Sequence, residues 1–167
     1  GLRQKVTCGT FDMYQRRLVT AGEDGSVKIW NFSNGHSLKN LLTDERKDEN
    51  GKCKKYEYTQ LVAVHNEEKL DKMAHFVAVG WDRRLHIWDD DRENDAENVR
   101  EHGQKSESGG NGHKDDIMSA CYDVKLNLVF TGGHDGTLLA WHFETGFVKY
   151  YLHEFDPTCL DHDYIKK

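Results

Sequence analysis

Several things are missing from this chain of 167 residues, and each absence removes a class of protein. No apolar run is long enough to cross a bilayer, and nothing has the order of a secretory signal, so no membrane contact is expected. There is no surplus of cations: 23 Lys and Arg stand against 29 Asp and Glu, a formal net charge of -6. A nucleic-acid surface needs a clustered basic stripe to displace counterions, so none is expected. Cys8, Cys53, Cys121 and Cys159 form no C-x-x-C pair, which argues against a disulfide framework or zinc ribbon and fits a reducing, cytoplasmic setting. Enzyme signatures are absent as well: no G-x-S-x-G elbow, P-loop, H-E-x-x-H or dinucleotide fingerprint. Cys159 and His162 have a partial ligand spacing, but two ligands make a poor metal site. No catalytic residue, cofactor or metal is expected. The initiator Met is missing too, and the chain is expected to be a piece of something longer.

What is present is a repeat. "TAGEDGSVKIWNF" (20–32), "VAVGWDRRLHIWDD" (77–90) and "TGGHDGTLLAWHF" (131–143) place Gly two residues before Asp and Trp six after it. The sets are Gly22, Asp24 and Trp30; Gly80, Asp82 and Trp88; and Gly133, Asp135 and Trp141. Around each, apolar and β-branched residues alternate between Gly and Asp turn signals, the pattern of short antiparallel strands. The first copy predicts strands at 6–11, 18–21, 27–32 and 37–42, and the third at 117–122, 128–132, 137–143 and 148–152. The second predicts 59–64, 76–79 and 85–88, with a weak or missing fourth strand. Cys8 and Cys121 fall at similar places in two copies and read as small buried hydrophobes.

The tryptophans stand 58 and 53 residues apart, more than the roughly 40 to 45 of one propeller blade. Charged insertions explain the excess. The organisation is a first blade at 1–42, an insertion at 43–57, an irregular second blade at 58–88, an acidic insertion at 89–111 and a third blade at 112–152. Residues 153–167 are read as the lead into a further blade or a tail, and 65–75 as a lengthened hairpin. The insertion at 89–111 carries eight acids and three bases. Both insertions are too polar to bury a face and are expected to be solvated loops. The acidic run lacks the Gly and the Glu spacing of a calcium loop.

With these motifs the chain resembles the WD-repeat β-propeller family, most clearly in the third copy with Gly112, His113, "TGGHDG" and "AW". The resemblance implies an all-β fragment of about three blades, each a four-stranded antiparallel sheet, within a larger propeller. It also implies that His113, Thr131, Asp135 and Trp141 form a buried hydrogen-bond chain, with Thr20, Asp24 and Trp30 at matching positions. Such a set leaves few polar atoms orphaned. The second copy has Ala78 in place of the Thr and Arg83 in place of Gly25 and Gly136, so its full network is not expected to form. Three blades cannot close a ring, and an open wedge would expose apolar end faces. A finer resemblance, to the long WD-repeat proteins of cilia and flagella, implies an axonemal scaffold.

Binding is the expected function. In the resembling family one rim of the propeller receives protein partners, and it is built from the residue before each turn Asp and the start of each first strand. The matching residues are Glu23, Trp81 and His134, with Lys5 and Thr7, Tyr58 and Gln60, and Asp116 and Met118. Trp81 stands out, because turns favour Gly, Asn, Asp and Ser. Arg83 and Arg84 follow it, and Trp and Arg lead among interface anchors. Packing of Trp81 on Leu70 or Met73 is the competing expectation. The expected partners are other proteins of a large assembly; a ubiquitin-ligase adaptor is the alternative setting, and a propeller enzyme would need a central acid or metal cluster that the sequence lacks.

Overall fold

A computed structural model describes residues 5–12, 16–41, 56–64, 73–91, 97–103 and 112–152, with backbone alone at 73, 74, 91 and 97–103. Most of both insertions, the tip of the long hairpin with Leu70, Cys53, and residues 153–167 with Cys159 and His162 lie outside these residues.

Twelve strands make three four-stranded antiparallel sheets, each from consecutive strands. The first holds β1 (Val6–Phe11), β2 (Arg17–Gly22), β3 (Val27–Asn31) and β4 (Ser37–Leu41). The second holds β5 (Tyr58–Val64), β6 (Met73–Gly80), β7 (Arg84–Asp91) and β8 (Glu97–Gly103). The third holds β9 (Ile117–Asp123), β10 (Leu128–Gly133), β11 (Leu138–His142) and β12 (Val148–Leu152). β1 lies beside β5 and β5 beside β9, so the sheets stack in chain order around their first strands.

The pleat sends alternate residues to opposite faces, and each inter-sheet space fills with one alternating set. Val19, Ala21, Val27 and Ile29 of the first sheet meet Leu61, Phe76, Ala78 and Trp88 of the second. Val77, Val79, Leu85 and Ile87 of the second meet Ile117, Val129, Leu139 and Trp141 of the third. Central β6 and β7 are therefore buried on both faces, which explains their near-continuous apolar runs. The outward faces of the first and third sheets remain apolar and open. Phe11 and Phe32 meet edge-to-face at 5.3 Å on the first, and Leu138, Tyr150 and Leu152 are exposed on the third.

The second sheet corrects two expectations. It has a fourth strand: β8 pairs with β7 from Arg84↔Gly103 to Asp90↔Glu97, inside the stretch read as a solvated loop. A blade's outermost strand has a ladder partner on one side only, so it needs little apolar sequence. The acidic run is also not wholly solvated. Asp90 is 1% exposed and accepts Arg17 Nη1 at 2.6 Å and Lys39 Nζ at 3.0 Å from the first sheet. Arg17 Nε in turn meets Asp12, and His75 meets Asp89 at 2.8 Å.

Register corrects two more. A bulge near the start of each first strand aligns Val6 with Tyr58 and Ile117, through their partners Gly22, Gly80 and Gly133. The structural counterparts of Lys5 and Thr7 in the second sheet are therefore Glu57 and Thr59, and the sequence alignment on Tyr58 and Gln60 was one residue late. Cys8 likewise corresponds to Gln60 and Ser119, two residues from Cys121; Cys8 is half-buried and Cys121 exposed on the open face.

Candidate interaction rim

The turn between second and third strands is the same device three times. The amides of Gly25, Arg83 and Gly136 donate to the carbonyls of Gly22, Gly80 and Gly133 at 3.0, 3.2 and 3.1 Å. The turn Asp accepts from the amide two residues on: Asp24 from Ser26, Asp82 from Arg84 and Asp135 from Thr137. Gly80 and Gly133 must lack a side chain, because a Cβ would run into the Glu57 carbonyl at one and His113 and Asp135 at the other. The amide before each Asp then ties the turn to the head of the first strand: Glu23 to Lys5 O, Trp81 to Glu57 O and His134 to Asp116 O, at 3.0, 3.2 and 2.8 Å.

Beneath the third turn lies the expected chain, with one more member. Trp141 Nε1 donates to Thr131 Oγ1 at 2.7 Å, and Thr131 Oγ1 sits 2.7 Å from His113 Nε2. His113 Nδ1 lies 2.9 Å from Thr137 Oγ1, which donates to Asp135 Oδ1 at 2.6 Å. Each hydroxyl has one proton, so the order fixes the tautomer. Thr131 gives its proton to Nε2, Nδ1–H donates to Thr137, and His113 is neutral. Its burial pushes its pKa down, outweighing the pull of Asp135 the other way. For Asp135, burial pushes up, but the hydroxyl and amide of Thr137, the Lys114 amide and His113 together hold the carboxyl well below its usual range. Thr137 was not singled out from the sequence; its signal is the hydroxyl that follows Asp by two in both regular copies, Ser26 and Thr137.

The first sheet shows the indole end of the same chain, Trp30 Nε1 to Thr20 Oγ1 at 2.8 Å. The second builds a substitute that the sequence reading missed. His86 on β7 reaches Asp82 at 2.6 Å, delivering an imidazole to the turn Asp from a strand instead of from the loop before the blade. Ala78 pairs with His86 across the ladder and is small enough to admit it. Tyr58, His86 and Trp88 then pack as a ring cluster, with centroids 5.2 to 6.0 Å apart.

Of the predicted rim residues, Glu23, Trp81, His134, Arg83, Lys5 and Met118 are exposed, and Arg84, Thr7 and Asp116 are partly exposed. Trp81 is 51% exposed at the tip of its turn. Lys5 pairs with Glu23 at 3.6 Å, and His134 with Asp115 at 3.0 Å. Asp115 raises the His134 pKa by hydrogen bond and charge. Two predicted members belong elsewhere. Tyr58 is 3% exposed and walled into the first inter-sheet core, the consequence of the one-residue slip. Gln60 spends its amide oxygen on Ala120 N at 2.9 Å, joining the second and third sheets. Thr59, its neighbour, donates toward Val79 O and Ile117 O. Among the described residues no three His, Cys, Asp or Glu side chains converge on a metal position.

Known proteins agree with this geometry. The WD domain, G-beta repeat family matches residues 3–31 and 106–142. The chain is 31% identical over 157 residues to the WD repeat-containing protein on Y chromosome of Drosophila pseudoobscura pseudoobscura, covering 92% of this chain and 12% of that protein. The Drosophila virilis protein of the same name is 30% identical over 155 residues, covering 92% and 11%. The chain thus spans about an eighth of these curated relatives' length. The crystal structure of RRP9 WD40 repeats superposes with a TM-score of 0.63 at 12% identity, over 93% of this chain and 41% of that one. Turn chemistry, sheet order and these similarities together show a fragment of a WD40 propeller, three four-stranded blades, with matches to the WD domain, G-beta repeat family in the first blade and over 106–142.

Proposed function

We propose that this segment is part of a non-enzymatic scaffold whose partners dock on the rim made by the three turns, with Trp81 as the anchor. WD-repeat domains typically bind other proteins, and the observation that carries the reading here is the exposure of Trp81 on a fixed backbone. Its amide is tied to Glu57, and Arg83 N and Arg84 N are both bonded within the same turn. A large side chain held out on a rigid turn loses little entropy when a partner covers it. The setting we propose is the axoneme, on the strength of the sequence resemblance.

Trp81→Ala is expected to weaken partner capture by the full-length protein at least tenfold, as at a typical interface hot spot, while its melting temperature stays within about 2 °C. Early melting with unchanged capture would mean that Trp81 serves packing. Cross-linking of the native complex tests the setting. Links from Lys5 or Lys114 to microtubule-associated neighbours favour the axonemal scaffold, and links to ligase subunits favour the adaptor.

A further inference from the structure

Arg83 occupies a position that the other two turns give to glycine. All three backbones there have positive φ: 77° at Gly25, 62° at Arg83 and 74° at Gly136. Glycine adopts this conformation freely, and a side chain adopts it at a cost, so the arginine needs a compensating role. At the first junction the turn meets the next blade through backbone: a Cβ on Gly25 would stand 2.8 Å from Tyr56 O. At the second junction the Arg83 guanidinium makes the connection, with Nη1 donating to Lys114 O at 3.0 Å. Lys114 follows His113 directly, and its amide donates to Asp135 Oδ2 at 2.9 Å. One peptide segment is thus held from both sides, by the third blade's own turn and by the second blade's arginine.

We propose that Arg83 is a latch between the second and third blades, a positioning residue that holds the 112–116 loop and through it seats His113 in its buried chain. The irregular second blade then does more than fill space: its turn sets the geometry of its neighbour. Because Arg83 and Lys114 are both exposed, the latch lies on the surface and responds to whatever touches the rim there.

The test uses the full-length protein with Arg83→Gly, Arg83→Asn and Arg83→Lys. Gly and Asn tolerate positive φ, so these two variants keep the turn while removing the guanidinium. Amide hydrogen exchange is followed by mass spectrometry in peptides covering 112–118 and, as control, 17–31 in the first blade. The expected result is exchange at 112–118 faster by on the order of fivefold in the Gly and Asn variants, the factor one net hydrogen bond supplies. The Lys variant, which retains a cationic donor, is expected to fall between these and the parent, with 17–31 unchanged throughout. Unaltered exchange at 112–118, equal acceleration in both peptides, or a Lys variant as fast as the Gly variant would each overturn the latch.

Discussion

Two histidines of the third blade, one in the loop before β9 and one in the turn after β10, are driven in opposite directions by their surroundings. His113 is buried and accepts from Thr131, so protonation would take away the lone pair that the chain uses and place charge in the core. His134 is exposed beside Asp115, which favours its charged form. The stability consequences have opposite signs. For His113 the folded pKa is lowered, so its contribution is present above the unfolded value of about 6.5 and is lost as pH falls below it. For His134 the folded pKa is raised, so its contribution is present below about 6.5 and is lost as pH rises through the folded value. In a His134→Asn background, the thermal midpoint of the propeller is expected to fall as pH drops from about 7 to about 5. NMR of the imidazole C–H resonances in the parent should show His134 charging at a higher pH than His113; the reverse order would contradict the tautomer assigned above.

At the scale of the element, the first and second blades are joined by charge as well as by apolar packing. Asp90 at the end of β7 is buried between Arg17 and Lys39, and Arg17 also serves Asp12. Removing one member of a buried set leaves the others desolvated and unpaired. Asp90→Ala is therefore expected to cost about 3 to 5 kcal/mol in chemical denaturation, whereas Asp89→Ala, whose side chain is less completely buried, is expected to cost less. Equal effects would show that the acidic run has no privileged member. This element also marks the boundary of what the sequence could tell. The Gly-Asp-Trp spacing and β alternation placed eleven of the twelve strands, because each sets apolar or β-branched residues between turn signals. β8 escaped because an outermost strand can be built from Glu, Asn and Arg. Tyr58 falls on the rim only when the second copy is aligned one residue late, and in a strand one residue moves a side chain to the other face. His86 escaped because its role depends on the space left by Ala78 across the ladder, a pairing that no local pattern encodes.

For the whole molecule, the two open faces decide how the segment behaves by itself. Val129 and Leu139 point into the second inter-sheet core, and their strand neighbours Leu138 and Phe130 point the other way, joined by Tyr150 and Leu152 from β12. The first sheet presents Phe11 and its partner Phe32 at the opposite end of the stack. Contiguous apolar area of this kind is uncommon on a soluble monomer, and closed propellers remove it by packing blade on blade around the ring. The two ends have different surfaces, so association between copies of the segment would run head to tail and need not stop at a dimer. The segment 1–167 alone is therefore expected to show a sedimentation coefficient that rises with concentration between about 5 and 100 µM. Leu138→Lys with Tyr150→Lys, which places two charges on the third blade's open face, should return it toward the monomer, because neither side chain takes part in the inter-sheet cores. A segment that stays monomeric at 100 µM without these charges would mean that its end faces are covered from within the 167 residues themselves.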